Sequence, residues 1–372
     1  MLKPLAVAAA FVACSTVTHA QTFKSSAGDL KVDTVVSGLV NPWAFAFLPD
    51  GRILITERPG RMRIAAPDGK LSPPLQGVPK VAASGQGGLL DVELDRNFAQ
   101  NKTIYFCFAE PADGGARTAM ARATLSDNKL DDVKVIFHQE GPLSSGNHFG
   151  CRIAQSADNN LFLTTGEHFT DRDEAQKLTS HLGKLIRVKP DGSVPDDNPF
   201  VGRKDAKPEI WSYGHRNMQG AAINPATGKL WEHEHGAKGG DEVNIPQPGK
   251  NYGWPVISFG VNYDGTPVGS GKSEMPGMEQ PIKYWVPSIA PSGMAFYTGD
   301  LFPAWKGSLF VGALAGQMLV RLSLDGDKVT GEERLLQGLR ERIRDVRMGP
   351  DGSIYLATDN AAGRILKISP AK

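Results

Sequence analysis

The feature that most constrains this chain is a hairpin written several times over. Residues 46–60 (AFLPDGRILITERPG), 154–168 (AQSADNNLFLTTGEH), 222–236 (AINPATGKLWEHEHG) and 347–361 (RMGPDGSIYLATDNA) follow one order: the apolar end of a strand, a turn of Pro, Asp, Gly or Asn, a second strand, then polar residues. Looser copies at residues 92–110 (VELDRNFAQNKTIYFCFAE) and 301–316 (LFPAWKGSLFVGALAG) fill the gaps. Such a unit cannot bury its own apolar face, so it must stack against its neighbours. Six hairpins recurring at roughly sixty-residue intervals predict an all-β fold, a six-bladed β-propeller of four-stranded antiparallel blades with long insertions between strands. The competing architecture, a pair of β-sandwiches, has no need of six similar hairpins. Helical periodicity is scarce, and 42 Gly and 26 Pro are spread along the 372 residues, as a chain of many turns requires.

Charge excludes one class of partner. Lys and Arg total 41 against 40 Asp and Glu, and no basic stripe offers a footprint for nucleic acid. Residues 1–20 read as a signal peptide: Lys3, a short apolar run from Leu5 to Cys14, and a small-x-small ending at Thr18–Ala20. The run is too short to span a bilayer, and no other segment is apolar enough. Cys14 as a lipid-anchored cysteine is the weaker alternative, because Phe11 stands where such signals carry leucine. The expectation is an exported, periplasmic chain whose residues 21–372 form one propeller domain. Cys107 and Cys151 would then lie in an oxidising compartment. The sequence leaves open whether they pair.

A propeller delivers the residues after each repeated strand to one mouth of its central channel, and here those residues are polar. Gln86 sits in a glycine-flanked turn, where a purely conformational role is the plainer reading. His148 precedes a strand among small residues, as structural histidines also do. Glu167, one strand pair downstream, is placed to hold its imidazole in one tautomer, the arrangement a general base needs. The run GHRNMQG puts His215, Arg216, Asn217 and Gln219 between glycines. Arg342 and Arg344 share a strand face, either as a solvated charge or as a receptor for carboxylates.

Residues 229–244 (KLWEHEHGAKGGDEVN) pose the question of a metal. His-x-His alternates faces badly with Glu234 on a strand, and no cysteine is near, which disfavours zinc. Calcium takes backbone carbonyls and carboxylates together, and Gly236, Ala237 and Glu242 offer both. Local spacing alone leaves a calcium site and an ordinary tight turn evenly matched.

Taken together, GQGGLL, NHFGCRI with TTGE, GHRNMQG, EHGAKGGDEVN with GKNYGWP, PSIAPSG and RIRDV resemble the soluble quinoprotein glucose and aldose sugar dehydrogenases, in consistent order from about Val36 to Ile368. These bind pyrroloquinoline quinone (PQQ) on a six-bladed propeller. The resemblance implies His148 as general base, Glu167 as its orienting acid, and Arg216 at the developing oxyanion. It implies Gln86, Arg216, Asn217, Gln219, Ser288, Arg342 and Arg344 at PQQ. It also implies a calcium at the cofactor held by the backbone of Gly236 and Ala237, and a second, structural calcium at Glu242 and Tyr252. The implied substrate is an aldose oxidised to a lactone; the periplasmic electron acceptor is not identified, and either a monomer or a homodimer is compatible. Two departures stand out. Ala315 occupies the place of a lysine that pairs with PQQ in some relatives, and the aromatic residues of their sugar subsite are poorly matched around Lys283 to Val286. The rivals are a calcium-dependent lactonase on a similar propeller, which has no tricarboxylate to bind, and a non-catalytic binding propeller, which has no use for both His148 and Glu167.

Overall fold

The Asp-centred triplets of the repeat close the same tight turn in three places. Gly51 N donates to Leu48 O at 3.0 Å, Asn159 N to Ser156 O at 3.1 Å and Gly352 N to Gly349 O at 3.0 Å. Each donor is left-handed (φ of 84°, 70° and 78°), a conformation Gly and Asn tolerate. The Asp50 and Asp351 carboxylates each accept the backbone N–H two residues on, at 3.1 Å, so the turn is fixed locally before any packing.

A computed structural model describes residues 21–143 and 145–371; the expected signal peptide, residues 1–20, lies outside them. Five of the six repeats hold the end of a blade's first strand and all or nearly all of its second; residues 301–316 hold only the second strand, Leu309–Ala313, after a 3-10 turn at Pro303–Trp305, and the first strand of that blade lies upstream of the repeat. In chain order, blade 1 holds Pro42–Phe47, Ile53–Glu57 and Arg61–Ala65; blade 2 holds Leu89–Leu94, Thr103–Ala112, Gly115–Leu125 and Leu130–His138. Blade 3 holds Gly150–Gln155, Leu161–Thr165, Lys184–Val188 and Ile210–Tyr213, and blade 4 Met218–Ile223, Leu230–Glu234, Asp241–Asn244 and Lys283–Trp285. Blade 5 holds Pro291–Phe296, Leu309–Ala313, Met318–Asp325 and Lys328–Leu335. Blade 6 takes Ile343–Met348, Ile354–Thr358 and Gly363–Pro370 from the C-terminal end, and Leu30–Leu39 and Gln21–Phe23 from the N-terminal end. The expected six-bladed propeller is therefore present, with two uneven blades. Blade 1 completes its fourth position with a single Ala65–Leu71 bridge, and blade 6 gains a fifth strand.

Blade 6 closes the ring. Leu30–Leu39 pairs antiparallel with Gly363–Pro370, which satisfies both chain ends' backbone groups and removes an open edge. Buried Leu, Ile, Val and Phe side chains fill the spaces between blades, the largest cluster running through blades 1 to 3. Blades 2 and 3 are also joined covalently: Cys107 and Cys151 form a disulfide, with Cα atoms 5.6 Å apart. This answers the question the sequence left open. The bond closes 44 residues of chain, and replacing both cysteines by serine is expected to cost about 2–4 kcal/mol of stability. A denaturation midpoint equal to that of the unmutated protein would show that the bond contributes nothing.

Each blade's first strand lines the central channel, and each carries a register shift against its neighbour near its start. Such bulges bend a strand and re-aim the side chains beside them, here toward one mouth of the channel. Below that mouth, buried charges hold the blades together. The Arg152 guanidinium bridges Asp345 (2.9 Å) and Asp91 (3.2 Å) and packs 4.1 Å over Trp43, while Arg347 pairs with Asp91, Glu93 and Asp345. Paired in this way, charges survive desolvation that would expel them singly.

Candidate active site

His148 leads into the first strand of blade 3 and Glu167 leaves its second, so the Gly150–Thr165 pairing brings them together. The Nδ1–H of His148 donates to Glu167 Oε2 at 2.7 Å, and the same oxygen accepts the Phe169 N–H at 2.7 Å. The His148 backbone N–H donates to Gln86 Oε1 at 2.9 Å, which sets the approach of the strand. Both partners are almost fully buried. Burial lowers the pKa of His148, with the Arg216 charge adding to it against the pull of Glu167. Burial pushes the Glu167 carboxyl up, but His148, Arg216 and the Phe169 N–H together hold it below the usual range. A neutral imidazole whose Nδ1 proton is fixed by a carboxylate presents Nε2 as the basic atom at neutral pH.

Beside this pair the mouth opens into a cavity of about 280 Å³. Gln86, Asn217, Gln219, Arg342 and Arg344 line it, although they come from three different parts of the chain. Arg344 donates to Asp359 Oδ2 (3.0 Å), Gln219 Oε1 (3.1 Å) and Ser292 Oγ (3.2 Å). Arg342 reaches the same Asp359 oxygen at 3.4 Å. Arg216 and Ser288 are not part of this wall. Arg216 lies 5.1 Å over Trp254 with its Nη1 on His235 O at 3.1 Å. The buried Nε atoms of Arg216 and Arg344 have no hydrogen-bond partner among the described residues. A buried guanidinium N–H left unpaired is costly, and a wall holding Arg58, Arg342 and Arg344 against the one carboxylate of Asp359 calls for an anion.

On the blade 4 side, residues 236–240 make a tight turn. A Cβ on Gly236 would stand 2.1 Å from Gly239 O, so only glycine fits. Asp241 binds this turn to the next segment: it accepts Gly236 N (2.9 Å), Ser288 Oγ (2.7 Å), Ile289 N (2.8 Å) and Ala290 N (3.0 Å). Ser288 therefore faces Asp241 instead of the cavity. Sequence reading passed over Asp241, although the pair of glycines before it marked the turn.

The glucose/sorbosone dehydrogenase family profile matches residues 39–367. The chain belongs to this family. It is similar to the aldose sugar dehydrogenase YliI of Escherichia coli, at 48% identity over 92% of this chain and 93% of that one. A crystal structure of a glucose dehydrogenase superposes with a TM-score of 0.89 at 52% identity, covering 92% of this chain and 99% of the other. The PQQ-bound aldose sugar dehydrogenase of Streptomyces coelicolor superposes with a TM-score of 0.77 at 30% identity, over 91% and 98% of the two chains. The protein is thus a sugar dehydrogenase of the glucose/sorbosone family.

In this dehydrogenase Glu242 and Tyr252 each border a second polar centre, outside the lining of the cavity, Glu242 through its pairing with Glu234 and Tyr252 through His215. Register pairs Glu234 with Glu242 and Glu232 with Asn244, so one face of blade 4 carries three glutamates and a carboxamide. His215 joins them: its ligand nitrogen and the oxygens of Glu232 and Glu234 lie within 4.8 Å of one another. Glu234 also accepts the His215 Nδ1–H (3.1 Å) and the Arg216 backbone N–H. Among the described residues neither Glu232 oxygen has a hydrogen-bond partner, nor does Asn244 Oδ1, although Glu232 Oε1 lies 3.8 Å from His215 Nδ1. Burial, then the repulsion of Glu234, raises the pKa of both Glu232 and Glu242 well above normal. The Tyr252 hydroxyl is engaged by Ile245 O and Gln247 N, both at 3.0 Å. Its ring stacks on His215 at 4.8 Å and roofs the cluster. His233 and His235 point to the other face, His235 into the cavity wall. Period-two alternation separates Glu232 and Glu234 from the histidines; what it does not show is that Glu242, Asn244 and His215 join them.

Proposed function

We propose that this dehydrogenase is a periplasmic, PQQ-dependent enzyme that oxidises the anomeric carbon of aldoses to lactones with a calcium ion at the cofactor. One observation carries the reading: a carboxylate-oriented imidazole is held by Gln86 and is followed by Phe149 and Gly150, and all three of these residues line a cavity walled by guanidinium groups. PQQ is a planar tricarboxylate, and the group bound by the Streptomyces coelicolor relative is PQQ. The unpaired Nε atoms of Arg216 and Arg344 fit such an anion, and Gln86, Asn217, Gln219 and Arg342 would help to hold it, Arg342 with a further charge. Calcium suits the carbonyls of Gly236 and Ala237 in the turn that Asp241 fixes.

When bound, PQQ supplies an electrophilic quinone carbon that accepts a hydride, and calcium polarises it as a Lewis acid. The remaining work belongs to the chain. His148 Nε2 takes the proton of the anomeric hydroxyl as the carbon–oxygen double bond of the lactone forms. Glu167 stabilises the imidazolium and keeps it in place, and Arg216 offsets charge developing on oxygen. With Ala315 in place of a lysine, the clamp rests on Arg342 and Arg344. Arg342→Ala is expected to weaken PQQ binding about tenfold, and an unchanged titration of the apoprotein would remove Arg342 from the clamp.

A periplasmic location is supported by the N-terminal leader pattern and by the Cys107–Cys151 disulfide. No helix among the described residues is long and apolar enough to cross a membrane. The deciding experiment titrates the apoprotein with PQQ and calcium while dye reduction is followed with a panel of aldoses. Saturation near one PQQ per chain is the expected result, and absence of any PQQ-dependent oxidation would overturn the proposal.

A further inference from the structure

The segment that delivers the base is bent into a conformation its residues resist. His148 and Cys151 have positive φ, 51° and 79°, and Gly150 between them has 65°. A Cβ disfavours this left-handed region, so a residue other than glycine stays there only where its surroundings hold it, as they do at functional sites. Cys151 is held covalently, by its bond to Cys107 in the second strand of blade 2. We propose that the Cys107–Cys151 disulfide is a positioning device for catalysis: it keeps residue 151 left-handed, and that bend brings His148 onto Glu167 and seats Asn217 and Gln219 against Gly150. This inference rests on the reading of His148 as the base and gives the bond a part in turnover besides its part in stability.

The bend lies in a bulge. The first strand of blade 3 runs from Gly150 to Ile153 while its neighbour runs only from Thr165 to Leu163, so the chain takes in one extra residue here. Downstream the bulge is fixed by Arg152 N on Thr164 Oγ1 and Ile153 N on Asp91 Oδ2, both at 2.8 Å. Upstream, Phe149 O accepts Thr118 Oγ1 at 2.7 Å, Gly150 N donates to Asn217 Oδ1 at 3.1 Å, and Gly150 O accepts Gln219 Nε2 at 3.3 Å. Cys151 stands between the two sets, fully buried like Cys107, and its sulfur ties the join to blade 2.

The neighbouring backbone leaves no slack to absorb a change at residue 151. A Cβ on Gly150 would stand 2.7 Å from the Thr165 carbonyl carbon, and one on Gly166 would stand 1.9 Å from His148 O, so backbone lies directly against backbone beside the base. An ordinary residue of an antiparallel strand has a φ of about −140°. Rotation of residue 151 from 79° toward that value would swing His148 out of reach of its 2.7 Å bond to Glu167. Phe149 and Gly150 line the cavity together with Asn217 and Gln219, so the same rotation would disturb the wall that the reading assigns to PQQ. A plain staple between blades acts on stability alone and is indifferent to the backbone angle at residue 151. A positioning device depends on that angle.

The test removes the bond in two ways. Cys107→Ala with Cys151→Ala leaves a side chain that resists positive φ, whereas Cys107→Ala with Cys151→Gly leaves a residue that adopts it freely. Both pairs lack the disulfide, so the stability lost with it is common to them, and both are measured at a temperature where circular dichroism shows them folded. With PQQ and calcium at saturation, the alanine pair is expected to lose about tenfold in kcat, and the glycine pair to stay within about twofold of the unmutated protein. Proton NMR of the apoprotein reads the same geometry without turnover. The low-field Nδ1–H signal of the His148–Glu167 bond, identified by its absence in His148→Gln, should broaden in the alanine pair and return in the glycine pair. Should the alanine pair fail to fold, Cys107→Ala alone removes the bond and is read in its place. Unchanged kcat and an unchanged signal in the alanine pair would overturn the proposal and leave a staple. Equal losses in both pairs would overturn it as well, because they would follow from unlinking the blades and not from the angle at residue 151. If the unmutated protein shows no PQQ-dependent oxidation, the proposed activity fails, and the NMR comparison alone decides whether the disulfide seats His148.

Discussion

His148→Gln is expected to lower kcat by about a thousandfold while PQQ affinity changes little. Glutamine keeps a polar side chain of similar reach but cannot accept and hold a proton. The Glu167 carboxylate would then lose its imidazole partner in a buried site, so Glu167→Gln is the cleaner companion variant. The pH profile supplies an independent reading. Burial lowers the His148 pKa below its ordinary value of 6.5, so the base is neutral and competent at pH 7. kcat/KM should stay flat from neutral pH upward and fall as pH drops through that lowered pKa. The Glu167 charge opposes this lowering, so Glu167→Gln should move the acid limb to still lower pH. An acid limb that persists unchanged in His148→Gln would assign the titration, and the role of base, to another group.

Adding calcium to the metal-free protein is expected to stabilise the fold, by way of the cluster formed by His215, Glu232, Glu234 and Glu242. Two carboxylates there are pushed upward by burial and by the charge of Glu234, and neither Glu232 oxygen has a hydrogen-bond partner among the described residues. Without a cation, such a cluster is relieved only by protonation. Because the folded-state pKa values are raised, the metal-free fold binds more protons than the unfolded chain. Its stability should therefore be greatest at acidic pH and fall as pH rises from the ordinary carboxylate range through the raised values. A cation at a hundred times its dissociation constant adds about 2.7 kcal/mol, or several degrees in Tm for a chain of this size. The expected result in the absence of PQQ is a calcium-dependent rise in Tm at pH 8 that shrinks toward pH 5. In Glu232→Gln with Glu234→Gln the rise should vanish. A calcium response that survives this double substitution would place the structural ion elsewhere.

How much of this was legible beforehand depends on the range of the forces involved. The turn at Pro49–Gly51 and its copies are closed by an Asp side chain and a left-handed Gly or Asn, all within a few residues, so they could be read directly. Alternation put His233 and His235 on one face of their strand and the glutamates on the other, and the structure has them so. Ser288 was placed at the cofactor because its position matches the family pattern; its hydroxyl instead serves Asp241. That bond joins residues 47 positions apart, and no local pattern announces it.

The sequence by itself determined the blade. Periodicity of two, short apolar runs and Asp–Gly turns are properties of neighbouring residues, and they dictate six hairpins and the phase at which each releases its polar end. Only the tertiary structure decided what those ends do. Pairing of Leu30–Leu39 with Gly363–Pro370 closes the ring. The closed ring gathers Gln86, Asn217 and Arg344 around one cavity, leaves Arg344 Nε and the Glu232 oxygens without a hydrogen-bond partner among the described residues, and sets Phe169 beside His148. Burial, charge repulsion and unmet hydrogen bonds arise between residues far apart in the chain, so they come into existence only when the ring is closed.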